Sequence, residues 1–327
     1  MPLHRRRVLS LLAGGSVGPW LLRPHAACAQ QVPRIPRIGI VDDAPMWQSF
    51  RHGLREYGYV EGQNIAYEYR YSEGVPERLA AAIEELVGRP VDLIATFGTP
   101  PTEAAKGATS TVPIIMVGVG DPVRAGLVAS LARPGGNITG NTVLSPDIAA
   151  KRLQILRETV PGLTKAGFFI NPNNASHRST LAELNAAAHG AGMSMSAVEV
   201  GSVDDLERAF DFVRVNGIQA ILLSNDPLHQ LHVRRIIALL DQHALPCMFQ
   251  NTQNVVEGGF MAYGPNVPDL FRRAAGYVHR ILQGAKPVDL PVELPAKFDL
   301  ALNVRTARAL GIEFPPVLLA RADEVVE

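Results

Sequence analysis

From residue 37 onward, short β-branched runs alternate with amphipathic stretches. Arg37-Ile38-Gly39-Ile40-Val41 is apolar at nearly every position, which predicts a strand buried on both faces. Ile65 to Tyr71 alternates apolar and charged residues, which predicts a half-buried strand. After Pro76, the residues Leu79, Ala82, Ile83, Leu86 and Val87 recur at helical spacing and make one apolar stripe. Val91 to Phe97 and Val112 to Val117 read as strands on either side of a helix from Pro100 to Ala108. A first helix is predicted over Gln48 to Tyr57.

A second set of the same kind follows. Helices are predicted over Ile148–Val160, Ser176–Ala191, Val203–Val215 and His229–His243. Strands are predicted over Lys165–Ile170, Met193–Val200, Gln219–Leu223 and Pro246–Gln250. Strands alternating with helices of this length mean βαβ units and parallel sheets. Between the sets, Pro134-Gly135-Gly136 is a turn signal, and Ile138 to Val143 reads as a strand crossing between two lobes. The final third is less regular, with a strand at Gly259–Tyr263, a helix at Asp269–Leu282, an extended stretch at Pro287–Pro295, a strand at Phe298–Asn303 and a short helix at Thr306–Leu310. That order returns the chain to the first lobe and takes it out again. The expected fold class is α/β, with two doubly wound parallel-sheet lobes and three crossings. One lobe takes residues 34–143 plus 264–293, and the other takes 146–260 plus 296–327.

Composition supports two folded lobes. The 327 residues are 47% hydrophobic and 19% charged, with 31 basic against 31 acidic. Such a chain buries a sizeable core and offers no basic field for nucleic acid. Residues 1–29 stand apart. Arg5, Arg6 and Arg7 head an apolar run over Val8–Leu22, and Ala27-Cys28-Ala29 presents small residues to a signal peptidase. Gly14, Gly15, Gly18 and Pro19 interrupt the run, so it reads as a cleavable export signal rather than a membrane span. The Arg5-Arg6-Arg7-Val8-Leu9 stretch also resembles a twin-arginine signal, and both export routes stay open. His25 stands where a lipoprotein signal wants an aliphatic residue, which argues against Cys28 as a lipid anchor. Cleavage removes four Arg and leaves 27 basic against 31 acidic residues, with Cys247 alone and no disulfide. The expectation is a periplasmic protein.

In open α/β sheets, ligands bind at the carboxyl ends of strands, where helices begin. The candidate residues are therefore those that follow the strands: Asp43 and Trp47, Gly98 and Thr99, Asp121, Asn171 and Asn173, and Asp226. These loops share a grammar of a small or polar residue followed by Pro, which also suits helix capping. If the loops converge, free N–H groups at helix starts suit a carboxylate, and Asp121 or Asp226 suits an ammonium group. Trp47 or Tyr263 could then stack on an apolar moiety.

Enzyme signatures are weak. Gly118-Val119-Gly120 lacks a third glycine at Val123, and neither a Walker A loop nor a G-x-S-x-G elbow occurs. His229 and His232 lie at i, i+3 without the spacing of a zinc helix, and Cys247 sits in an apolar strand. No catalytic residue, metal or cofactor is expected. An exported α/β enzyme working in the same cleft is the alternative.

Several stretches carry a family resemblance. They are Phe50 to Asn64, Gly98-Thr99-Pro100, Gly120-Asp121-Pro122-Val123, Arg133 to Gly140, Asp289 to Glu293 with Lys297-Phe298-Asp299-Leu300, and Leu319 to Glu327. In these the chain resembles the substrate-binding proteins of bacterial ABC transporters, the group with tryptophan- and tyrosine-binding members. The resemblance implies a type I periplasmic-binding-protein fold. It implies a monomer that closes on a small polar or zwitterionic ligand, such as an amino acid or aromatic acid. It implies delivery to a permease with its own ATPase, and ligand contacts from Gly98, Thr99, Asp121, Asn171, Asn173, Asp226 and Tyr263. The sequence departs from the family pattern at Asp42–Trp47, where the loop is short, and at Ser224-Asn225.

Overall fold

The computed structural model describes residues 34–42, 45–144, 148–224 and 226–327. The export segment, Asp43 and Asn225 lie outside the described residues. The first sheet forms from β1 (Arg37–Val41), α1 (Trp47–Glu56), β2 (Ala66–Arg70), α2 (Pro76–Val87), β3 (Leu93–Phe97), α3 (Thr99–Ala108), β4 (Ile114–Val119) and β5 (Ile138–Thr142). Its order is β2-β1-β3-β4-β5, parallel throughout. The chain continues through α4 (Ile148–Thr159), β6 (Lys165–Ile170), α5 (Ala175–Gly190), β7 (Ser194–Glu199), α6 (Leu206–Val215), β8 (Ala220–Leu223), α7 (Pro227–Leu231), α8 (Val233–Gln242) and β9 (Cys247–Phe249). It ends with α9 (Gln253–Val256), β10 (Met261–Pro265), α10 (Val267–Leu282), β11 (Phe298–Asn303), α11 (Val304–Ala309), α12 (Pro316–Leu319) and β12 (Glu324–Val326). The second sheet runs β12-β11-β10-β9-β8-β6-β7.

Each sheet is covered on both faces, because successive strand side chains point to opposite sides. In β3, Leu93, Ala95 and Phe97 join the core under α1 and α10, while Ile94 joins the core under α2. In β6, Phe168 and Phe169 divide the same way between the two cores of the second lobe. Side chains cap four of the helices. Asn174, Asp226, Asn266 and Asn303 accept from the first-turn amides of α5, α7, α10 and α11.

The antiparallel pair β10/β11 departs from the expected all-parallel sheets. After β10 the chain leaves the second sheet, forms α10 against the first lobe, and returns as β11. A strand re-entering from the side on which its neighbour left must run the other way. α10 lies so close on α1 that a Cβ at Gly53 would stand 2.6 Å from the Arg272 carbonyl oxygen. The strand at Ile138–Thr142 is not itself a crossing. It forms the edge of the first sheet, and the crossing follows it. The helix expected over His229–His243 is divided at His232, and no residue type there would have shown it. Short α9, α12 and β12 were also not expected from the pattern.

Candidate functional site

The carboxyl ends of strands from both sheets meet at one cavity of about 80 Å³. Gly98 follows β3, and Gly120 and Asp121 follow β4. From the other sheet come Asn174, Ser176 and His177 after β6, Ser224 after β8 and Gln250 after β9. Arg152 of α4 completes the lining. A wider groove of about 560 Å³ runs along α1 and α10, lined by His52, Arg55, Asp269 and Arg272. Arg272 pairs there with Glu56 and Asp269, and only β10 and β11 bring strand ends to it, through Asn266 and Lys297. The cavity between the sheets is the better candidate, since binding sites of open α/β sheets form at strand ends.

Of the residues expected from the sequence, Gly98, Thr99 and Asp121 line this cavity. Gly98 has φ of +78°, and Thr99 begins α3 with its Oγ1 accepting from the Gly120 amide at 3.4 Å. Asp121 accepts from the Arg124 amide at 3.0 Å, so it also shapes its own turn.

The structure places the other expected residues elsewhere. Trp47 is 1% exposed and packs edge-on against Phe50 and Phe271, with ring centroids 5.3 and 4.9 Å apart. Its indole completes the core of the first lobe. Tyr263 sits in β10 opposite Leu300 and packs on the second core. Asn173 is exposed, and its amide donates to Asn171 Oδ1.

Asp226 and Asn171 lie behind the cavity wall and do not line it. Asp226 is 1% exposed. Asn171 Nδ2 donates to Oδ1 at 3.2 Å, Asn174 Nδ2 to Oδ2 at 2.7 Å, and the Leu228 amide to Oδ1 at 3.0 Å. Burial pushes this carboxyl up, but His229, His177 and the Asn174 and Asn171 amides together hold it below the usual carboxylate range. The carboxylate is satisfied inside the protein, and the buried network leaves it no lone pair facing a ligand.

Sequence reasoning left out Arg152, Ser176 and His177 as site residues, and named Ser224 only as part of the loop after β8. The Asn171 amide donates to His177 Nδ1 at 2.8 Å. That fixes the proton on Nε2, which donates to Ser224 Oγ at 2.8 Å. Burial pushes the His177 imidazole down to about 4, with His229 lowering it further and Asp226 opposing. So His177 is neutral near pH 7. Ser, His and Asp meet here, yet the arrangement cannot run a hydrolase triad. Asp226 lies 3.7 Å from Nε2, the same nitrogen that faces Ser224, and that nitrogen bears a proton rather than a free lone pair. A signal for Arg152 did exist. It falls on the stripe of Ala149, Leu153 and Leu156, the buried face of α4.

Two lobes that present strand-end loops across one cavity make the arrangement of a two-lobe small-molecule-binding protein. The chain matches the family model for ABC transporter substrate binding proteins over residues 44–326, and it belongs to that family. It is 25% identical over 267 residues to a tyrosine-binding protein of Clostridioides difficile (strain R20291), covering 81% of this chain and 76% of that one. A solved structure of a conserved domain protein from Vibrio cholerae superposes with a TM-score of 0.82 at 27% identity, covering 89% of this chain and 100% of that one. An ABC domain from Streptococcus pneumoniae, solved in complex with L-Trp, does so with a TM-score of 0.82 at 25% identity, covering 89% and 99%. The fold is that of a two-lobe type I periplasmic binding protein, and these proteins are not enzymes. The family implies a small-molecule ligand and transporter partners. Among the described residues, no helix is long and apolar enough to cross a membrane.

Proposed function

We propose that this chain is exported to the periplasm, binds an amino acid or a similar zwitterion between its lobes as a monomer, and delivers it to an ABC permease. The observation that carries this reading is the cavity itself, with Gly98, Thr99, Gly120 and Asp121 on one wall and Ser176, His177 and Ser224 on the other. Hydroxyls and the carboxylates of Asp121 and Glu183 line it, which suits a polar molecule carrying an ammonium group. Asp121 is the acidic candidate for that group. The tyrosine-binding relative and the L-Trp complex point to the same ligand class. At about 80 Å³ the cavity is smaller than the roughly 300–1,000 Å³ of small-molecule sites. Admission of an amino acid therefore requires the lobes to part, by hinge motion at the crossings. The N-terminal Arg-rich and apolar run supports export.

The test uses protein recovered from the cell envelope. Its N-terminus should lie near Gln30, and calorimetry against the twenty amino acids and aromatic acids should reveal one tight ligand. Small-angle scattering should give a monomer mass and a smaller radius of gyration with that ligand. An intact Met1, or no binding by any of the panel, would sink the proposal.

A further inference from the structure

The second lobe holds a cation that the fold does not neutralise. Arg152 is 2% exposed, among the largest fully buried side chains. Its Nη2 donates to the carbonyl oxygens of Leu223, the last residue of β8, and Met248, within β9. Its Nε is sealed from solvent with no partner. Among the described residues, no carboxylate lies within ion-pair distance of it. Asp226 is occupied by Asn171, Asn174 and Leu228. Asp121 pairs with Arg124 on the opposite wall. Carbonyl oxygens satisfy donors, but they do not cancel a full charge. A buried charge without a counter-ion is strongly unfavourable, so such groups are normally paired.

Beside it stands a hydroxyl with a directed hydrogen. Ser224 follows Leu223, whose carbonyl Arg152 holds. Because His177 donates to Ser224 Oγ, the Ser224 hydrogen is free to donate onward. Ser176 and Ser179, the neighbouring hydroxyls of the wall, already donate to Asn174 Oδ1 and the Ser176 carbonyl. Arg152 and Ser224 both line the cavity. The geometry points to a carboxylate subsite in the second lobe, where Arg152 supplies the charge and Ser224 the second donor. The ligand class is then a monocarboxylate, the α-carboxylate of an amino acid included. This assignment rests on the cavity being the ligand site. It orients the ligand with its carboxylate toward α4 and its ammonium group toward Asp121.

The probe is acetate, with acetamide as the neutral isostere and sodium chloride setting the ionic-strength baseline. Protein labelled with ¹⁵N-arginine is followed by its Nε–H correlations, and Arg152→Lys assigns the Arg152 resonance by deleting it. Acetate should move that resonance saturably, with affinity roughly tenfold or more above acetamide, as expected for a charge-assisted pair. Ser224→Ala should weaken the acetate response by about fivefold, within the range for one hydrogen bond, and leave the resonance in place. If Arg152→Lys does not fold, the resonance that Ser224→Ala perturbs identifies the same guanidinium. An Arg152 resonance that acetate leaves unmoved, or that acetamide moves equally, overturns the subsite. Tight binding of L-tyrosine or L-tryptophan alongside an unmoved Arg152 would sink the subsite alone. A saturable acetate response with no amino acid bound would leave the subsite standing and sink the amino-acid reading.

Discussion

At the scale of single residues, Asp226 shows how burial decides between capping and ligand pairing. Its carboxylate holds together the turn after β6 and the start of α7 through Asn171, Asn174 and the Leu228 amide. In Asp226→Asn, an amide group replaces one acceptor oxygen and confronts the Asn174 or Asn171 amide. Losing hydrogen bonds to a charged acceptor should lower stability by roughly 1.5–3 kcal/mol, read as a fall in the urea or thermal midpoint. Ligand affinity should change little, because Asp226 does not line the cavity. An unchanged midpoint with affinity lost more than tenfold would reverse this assignment and return Asp226 to the ligand. From the sequence, Asp226 was modestly preferred to Asp121, although both follow a strand and precede a proline. Spacing cannot tell a carboxylate turned into the lobe from one turned toward the cleft.

At the scale of elements, the lobes touch through glycines at the ends of strands. A Cβ at Gly120 would stand 2.5 Å from the Ser176 Cβ on α5, and one at Gly98 would stand 2.7 Å from the Pro227 Cγ on α7. Both glycines belong to the first lobe, and both contacts lie in the second. Gly98 also needs its φ of +78°, so an alanine there carries backbone strain that confuses the result. Gly120 has no such requirement. Gly120→Ala should therefore leave each lobe intact while obstructing their approach. Overpacking of this kind costs about 1–3 kcal/mol, so the calorimetric ligand should bind roughly 5- to 150-fold more weakly. Adding Ser176→Gly should recover most of the loss. If Gly120→Ala binds as wild type, the seam is not part of the bound form.

At the scale of the whole molecule, the buried imidazole of His177 links stability to pH. Burial holds it neutral in the native state, with protonation pushed down to about 4, against about 6.5 in the unfolded chain. Between these values the unfolded state binds a proton that the native state refuses. Stability is therefore full above about pH 6.5 and falls as the pH drops toward 4, by up to about 3 kcal/mol from this group. The depressed carboxyl of Asp226 adds its own loss below the usual carboxylate range. Unfolding midpoints measured from pH 7.5 to 4 should fall for the wild type. The decline should be shallower in His177→Asn between pH 6.5 and 4. Parallel curves for the two proteins would show that His177 is not the group responsible.

The alternation of β-branched runs with amphipathic helices set the two βαβ sets, because a strand covered by helices must be apolar on both faces. Lys165–Ile170 and Phe298–Asn303 were legible to the residue for that reason. Loop positions after the strands were legible too, since the chain must turn there and helices must be capped. What one residue in such a loop faces depends on contacts distant in sequence. Trp47 meets Phe271, His177 meets Ser224, and Arg152 meets Leu223 and Met248. Local patterning sees an aromatic, a helical histidine and an arginine in an apolar stripe. Only the assembled second lobe brings that arginine to β8 and β9, because its partners lie 71 and 96 residues away along the chain.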